Sequence, residues 1–471
     1  MNKTWATSGL DLHLEPSGTR VRAGLEAALR EAVQAGRLAA GTPLPSSRAL
    51  AADLGIARNT VAEAYGQLVA EGWLTSRQGS GTRVADAAPA VAAAARTSRP
   101  SPPSPPEPSR FRFDLRAGSP DLSAFPRSAW LAAARRALNA APARALGYGD
   151  PRGRPELRTV LAGYLARARG VRTTPDRIVV CTGFTQGLAL LCEVLRERGA
   201  ATVAVEEYGQ PGTLAVLAAN ALTPVMLPVD GSGAVLDAAG PAPAVLLTPA
   251  HQFPLGPVLS PVRRAQAARW AAATGGLVIE DDYDGEFRYD RQPVGAMQAL
   301  APEQIVYAGT ASKTLAPGLR LGWLALPAHL VGEVVAAKTR TDAHTGSFEQ
   351  LTLAELITSG GYDRHIRRTR LAYRRRRNWL LTALAGRAPQ VRLTGIAAGL
   401  HAVAELPAGQ AEDEAIARAA RSSLALQGLG AFALGRHTKG PALVIGYATP
   451  PGHSYTAAIA RLCAAITAPA G

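Results

Sequence analysis

Five short apolar runs constrain this chain most: Ile178–Cys181, Thr202–Val205, Ala244–Thr248, Leu277–Asp281 and Gln304–Ala308. Each is too short for a helix and apolar on consecutive residues, as a strand covered on both faces requires. Alanine- and arginine-rich segments of helical period lie between them. Strands alternating with helices predict an α/β unit with a mainly parallel sheet from Phe111 onward. In such sheets ligands bind beyond the carboxyl ends of the strands. Candidate chemistry is therefore sought where each run stops.

Three strand ends are informative. Ile178–Cys181 runs into Thr182-Gly183-Phe184-Thr185-Gln186-Gly187 and then a helical stretch, a small-residue turn whose backbone N–H groups suit a phosphate. Leu277–Glu280 runs into Asp281-Asp282-Tyr283-Asp284, an acidic cluster with no histidine or cysteine beside it in sequence. Ile305–Tyr307 runs into a Gly/Thr/Ser turn that delivers Lys313, with Arg320 seven residues later. Lysine is scarce here, only Lys3, Lys313, Lys338 and Lys439. Unlike arginine, lysine can lose its proton and condense with an aldehyde. A phosphate cradle, a carboxylate with a tyrosine, a lysine and an arginine fork together supply what pyridoxal 5′-phosphate needs.

The first 85 residues read differently. Thr19–Val33 has apolar residues at helical spacing. Ser46 or Ser47 can cap a short helix through Leu54, Gly55 makes a turn, and a second helix runs from near Ala57 to Gly72 with Val61, Tyr65 and Leu68 on one face. Leu74–Ser76 and Thr82–Val84 form a hairpin around a glycine-rich tip. Arg58 and Asn59 stand at the N-terminus of the second helix, where a recognition helix places the side chains that reach bases and phosphates.

Between the two parts, residues 86–110 are rich in alanine, proline and serine and predict a semi-rigid tether. At 471 residues the chain is long enough for more than one core. Three scattered cysteines suggest neither a disulfide framework nor a metal site, and the absence of a signal pattern or a spanning apolar run points to the cytoplasm. The formal charge is +15, and Tyr362–Trp379 carries eight arginines against one aspartate. That run reads as a solvated helix or as an extra contact to DNA.

Leu44–Ala85 resembles the DNA-binding domain of the GntR family of bacterial regulators through SSR, LA, LG, TV, AY, EG and GSGT. The resemblance implies DNA contacts from Arg48, Arg58, Asn59, Thr60, Gln78 and Gly79. Tyr148–Val171, Thr248–Gly256, Glu280–Tyr289 and Gly309–Trp323 resemble the fold-type I aminotransferases, and nearly the whole chain resembles the MocR/GabR subfamily. The implied architecture is a winged helix-turn-helix over 1–85, the linker, and an aminotransferase-like domain over 111–471. That domain would hold a mainly parallel seven-stranded sheet and a small α+β subdomain from about residue 360. By the resemblance, Lys313 forms the Schiff base with the cofactor, Asp281 pairs with the pyridine nitrogen, and Tyr283 bonds the phenolic oxygen. Arg320 and Ser312 hold the phosphate with Gly183, Phe184 and Thr185; Thr310, Tyr208 and His251 complete the site. A head-to-tail homodimer is implied too.

Two departures bear on function. The customary aromatic is replaced by Gln210, leaving Tyr208 as the residue able to stack on the ring. In Leu443–Ala448 a valine, Val444, stands where aminotransferases place the arginine that holds a substrate carboxylate, so either another arginine such as Arg436 takes that role or the effector is no ordinary amino acid. The expected function is a pyridoxal-phosphate-dependent transcriptional regulator sensing the cofactor or an amino-bearing effector, as PdxR-like members do. The alternative is a working aminotransferase with an appended DNA-binding domain.

Overall fold

A computed structural model describes residues 21–77, 81–86, 111–289 and 294–467. These fall into two compact units on either side of 87–110. The linker beyond residue 86 lies outside the described residues, as do Gln78 and Gly79.

The smaller unit has helices Val21–Gln34, Ser47–Leu54 and Arg58–Ala70, followed by an antiparallel hairpin of Leu74–Arg77 with Gly81–Val84. Ser46 caps the second helix by accepting from the Ala49 N–H, and Gly55 ends it at φ 67°, a left-handed turn that glycine adopts without a Cβ penalty. Leu25, Leu29, Leu50, Val61, Tyr65 and Leu68 form its core. The Tyr65 hydroxyl donates to the Pro45 carbonyl at 3.0 Å, fixing the third helix against the entry to the second.

The larger unit is built on a seven-stranded sheet in the order Ile178–Cys181, Gly322–Ala325, Ile305–Thr310, Leu277–Asp281, Ala244–Leu247, Thr202–Glu206, Thr223–Leu227. Gly322–Ala325 is antiparallel to both neighbours and the other pairings are parallel. The sequence reading missed Gly322–Ala325 and Thr223–Leu227. The first follows the Lys313 turn after only a short connection, which leaves no room for a crossover helix, so it returns antiparallel. Successive side chains point to opposite faces. Val179, Val205, Ile279 and Val306 accordingly pack with the Phe184–Glu197 helix on one face, while Val180, Tyr307 and Trp323 pack with the Pro155–Arg169 and Ser347–Thr358 helices on the other. A 27-residue helix, Gly361–Arg387, leads to a four-stranded antiparallel sheet, Arg392–Thr394, Ala402–Glu405, Ala442–Ile445 and Gln427–Gly428, backed by Glu412–Arg421 and Tyr455–Thr467. Among the described residues no helix is long and apolar enough to cross a membrane.

One buried ion pair anchors the middle of the large sheet. Arg169, the last residue of its helix, donates from Nε and Nη2 to Asp282 at 2.6 and 2.9 Å. Tyr307 donates its hydroxyl to the same carboxylate at 2.8 Å. The side chains of Arg169 and Asp282 are 4% and 0% exposed, so neither charge is relieved by water. Arg169→Ala should lower unfolding free energy by about 3–5 kcal/mol, because Asp282 stays buried without its partner. Arg169→Leu combined with Asp282→Leu should recover a large part of that loss. Denaturant unfolding of the full chain followed by circular dichroism checks both, and a single variant as stable as the parent would show that the pair anchors nothing.

Candidate functional site

A cavity of about 220 Å³ opens at the carboxyl ends of the parallel strands. The turn after Ile178–Cys181 contributes Phe184 and Thr185, the end of Thr202–Glu206 contributes Glu206 and Tyr208, and Leu277–Asp281 contributes Asp281 and Tyr283. Thr310, Ser312, Lys313 and Arg320 come from the Ile305–Thr310 strand and its turn. Most of the residues predicted for the cofactor therefore meet in one place. Gly118, Gln210, Leu400, His401 and Leu434 also line it and were not foreseen as site residues. Gly118, Leu400 and His401 come from segments far away in sequence, with no local motif to mark them.

The glycines explain the close assembly. Gly183 sits at φ 104°, and a Cβ there would lie 3.3 Å from both terminal nitrogens of Arg320. A Cβ on Gly322 would lie 2.9 Å from the Gly183 Cα. Backbone thus approaches backbone, and the Arg320 guanidinium lies over the turn that opens the Phe184–Glu197 helix. A guanidinium beside the N-terminus of a 14-residue helix is an anion site built from a planar fork and a positive dipole end. Ser312 Oγ is 2.9 Å from Thr310 Oγ1, and the Ser312 N–H donates to the same Thr310 oxygen at 3.1 Å, which holds the turn on which Lys313 stands.

Lys313 donates from Nζ to the Gly118 carbonyl at 2.5 Å. Burial lowers its pKa, opposed by the charges of Asp281 and Asp284. The other buried lysine, Lys338, donates to both Asp342 oxygens at 2.8 and 2.9 Å and to Thr345. Lys338 is held in an ion pair with Asp342, whereas the hydrogen bond of Lys313 goes to a neutral carbonyl. Asp281 faces the cavity with its pKa well above the usual carboxylate range because it is buried, with Lys313 acting the other way. No hydrogen bond engages its carboxylate among the described residues. A carboxylate buried at a cavity wall without a donor is matched by a protonated ring nitrogen.

The acidic cluster divides its labour. Glu280 accepts the N–H groups of Met297 and Gln298, Asp282 takes Arg169, and Glu286 accepts from Tyr164; only Asp281 faces the cavity. The sequence reading found no histidine beside this cluster, and the structure corrects it. His251 and His401 come from distant segments, and with Asp284 their ligand atoms lie within 4.8 Å of one another. His251 Nδ1 is 2.8 Å from Asp284 and 3.0 Å from the Tyr283 hydroxyl, so it steers Tyr283 from behind rather than lining the cavity. His401 has its Nε2 3.0 Å from the Pro254 carbonyl, and burial followed by the charge of His251 pushes its pKa down to about 3, which leaves it neutral. Each member of the trio thus has a hydrogen-bonding partner without an ion.

Tyr208 lines the cavity, and its hydroxyl is tied outward to His437 Nδ1 at 2.8 Å and accepts from the Thr438 and Lys439 N–H groups. Glu206 beside it is pushed up to about 7 by burial while accepting from Thr248 and Gln252. Val444 packs with Tyr208, Phe253 and Val403 in an apolar cluster. Arg436 is exposed and is not among the residues lining the cavity. Among the described residues lining the cavity, Arg320 is the one arginine.

In the smaller unit, Arg48, Arg58 and Asn59 are exposed and Thr60 is half-buried. Arg58, Asn59 and Thr60 form the first turn of the Arg58–Ala70 helix, the end a recognition helix offers to a groove.

Comparison with known proteins agrees with both halves. Residues 22–84 match the family "Bacterial regulatory proteins, gntR family", and residues 113–426 match "Aminotransferase class I and II". The HTH-type pyridoxine biosynthesis transcriptional regulator PdxR of Corynebacterium glutamicum is 33% identical over 386 residues, which cover 82% of this chain and 83% of that protein. The probable rhizopine catabolism regulatory protein MocR of Rhizobium meliloti is 33% identical over 413 residues, covering 83% of each. Among solved structures, the multiple substrate aminotransferase of Thermococcus profundus superposes with a TM-score of 0.68 at 25% identity, covering 76% of this chain and 92% of that one. The chain belongs to the MocR-type regulators, in which a gntR-family helix-turn-helix module is joined to an aminotransferase class I and II domain.

Proposed function

We propose that this regulator couples occupancy of the Lys313 cavity to the grip of its winged helix on promoter DNA. The observation that carries the reading is the pairing of Lys313 with a donor-starved Asp281 in one cavity of a chain whose other unit is built to read DNA. When bound, pyridoxal 5′-phosphate supplies an aldehyde that amines attack and a ring that withdraws electrons. Lys313 supplies the amine, and its lowered pKa keeps more of it unprotonated than a free lysine would be. Asp281 would keep a proton on the ring nitrogen, Tyr283 would donate toward the phenolic oxygen, and Arg320 with Ser312 and the Gly183–Thr185 turn would hold the phosphate. Tyr208 would stack on the ring, and His251 with Asp284 orients Tyr283.

The effector is the cofactor itself or an amino compound that displaces Lys313. Arg320 would be taken by the phosphate, and among the described residues no further arginine lines the wall to pair with an α-carboxylate. That favours a sensor over an enzyme turning over common amino acids. A regulator of pyridoxine biosynthesis, as the name of the Corynebacterium relative states, fits a cavity that recognises the cofactor. Switching requires the occupant to favour one conformation over another.

We further infer a head-to-tail homodimer. Leu131, Leu138, Leu146 and Tyr148 are 68%, 48%, 64% and 97% exposed, and Phe348 is 40% exposed. They lie on or beside Arg127–Ala140, Ala143–Leu146 and Ser347–Thr358, segments that pack together in the larger unit. Exposed apolar side chains gathered on neighbouring segments mark an interface.

Pyridoxal phosphate added to the cofactor-free protein should give a visible absorption band, and borohydride should then fix the label on Lys313 alone; Lys313→Ala should show neither. The rate of capture should rise with pH around a midpoint below that of a free lysine amine. A label elsewhere, or capture that survives in Lys313→Ala, overturns the assignment of the cavity. Multiple-turnover assays with a panel of amino acids should show little transamination, and robust general turnover would favour the enzyme reading. Leu131→Arg should shift the protein toward a monomer in light scattering at micromolar concentration, while an unchanged mass would remove this face from the interface.

A further inference from the structure

The Gly361–Arg387 helix spans about 40 Å at ~1.5 Å per residue. Tyr362, Ile366, Thr369, Tyr373, Leu380 and Leu384 recur at helical spacing and are buried. The opposite face carries Arg364, Arg367, Arg368, Arg374 and Arg375, all exposed, along roughly 16 Å of helix.

Their charge is poorly compensated. Arg364 and Arg368 each reach a backbone carbonyl, of Ser359 and Ala124, which leaves the cation unneutralised. Asp363, the one acidic residue of this helix, pairs with Arg167 instead. Arg376 takes Asp121 and the Ala448 and Pro450 carbonyls, on the side toward the core. No acidic side chain lies within ion-pair distance of Arg367, Arg374 or Arg375 among the described residues. Like charges three and four residues apart destabilise a helix by a few tenths of a kcal/mol per pair, so this arrangement does not serve helix stability. Five guanidinium groups on one face with no acidic partner among the described residues match a row of phosphates, to which the planar fork is suited.

We infer that this arginine face is a second DNA-contacting surface, on the aminotransferase-like unit, that takes backbone phosphates of the same duplex the winged helix reads. The inference rests on the DNA-binding reading of the chain. Contacts to phosphate carry no sequence information, so this surface adds affinity and sets the path of the duplex without choosing the site.

The test uses the full-length, cofactor-loaded protein and a duplex of about 60 base pairs of fixed arbitrary sequence, because each phosphate contact contributes to the salt dependence whatever the sequence. Binding is measured at several salt concentrations between about 50 and 200 mM. Replacing Arg367, Arg374 and Arg375 with Gln should reduce the slope of log K against log salt by about 2–3. Removing three exposed arginines elsewhere on the same unit, Arg196→Gln with Arg269→Gln and Arg421→Gln, should leave the slope near that of the parent. Arg58→Gln in the winged helix should lower it by about one. Equal losses from the two triple variants would assign the effect to overall charge and overturn the second surface. An unchanged slope in the helix variant, with Arg58→Gln still lowering it, would overturn the surface and leave the DNA-binding reading of the winged helix standing.

Discussion

The large unit depends on Asp282 being buried against Arg169. Strand residues alternate in direction, so the carboxylate before Asp282 must point the other way. With Asp282 drawn down to Arg169 and Tyr307, Asp281 is left facing the cavity. The pair also fixes the end of the Pro155–Arg169 helix to the strand beside it, and the Arg169 guanidinium donates to the Gly285 carbonyl as well. A Cβ on Gly285 would lie 2.2 Å from the Asp282 carboxylate, so the bend after the strand requires glycine. One ion pair thereby sets both the height of the strand end and the side on which its reactive carboxylate emerges.

That dependence explains how two neighbouring aspartates reach opposite ends of behaviour. Asp282 gains two guanidinium bonds and a tyrosine hydroxyl, so its charge is matched in the interior. Asp281 accepts no hydrogen bond among the described residues, and its burial favours the protonated form against the opposing charge of Lys313. A cationic partner entering the cavity therefore recovers more at Asp281 than at any carboxylate already paired. The same contrast separates Lys338, held by Asp342, from Lys313, held by a carbonyl. In both pairs the group left unmatched is the one that faces open space.

Much of this was legible in sequence where signals are local. The five buried strands, the Ser46 cap, the Gly55 turn and the Lys313 turn each depend on residues within a few positions of one another. The site residues at strand ends followed from the sheet rule, since a parallel sheet brings its carboxyl ends to one edge. What stayed hidden was contact between distant segments. His251, His401 and Asp284 meet although they come from distant segments, and no spacing in the chain announces it. Gly322–Ala325 was hidden for another reason: GWLA is short and follows the Lys313–Arg320 turn at once, so its apolar run merged with the turn before it.

The missing arginine gives the chemistry its direction. At the position occupied by Val444, a valine in an apolar cluster costs nothing, whereas an arginine there would need a carboxylate or water for its five donors. Among the described residues lining the cavity no other arginine is found, since Arg436 is exposed and Arg320 sits over Gly183. On the proposed reading a carboxylate-bearing substrate would be desolvated without an arginine partner among these residues. A phosphate has both Arg320 and a helix N-terminus waiting for it. On the proposed reading the cavity suits the cofactor better than a general amino acid, and tight holding of a cofactor with slow onward chemistry is what a sensor needs. An enzyme gains only from interactions that strengthen in the transition state; a switch gains from any interaction that differs between its two conformations.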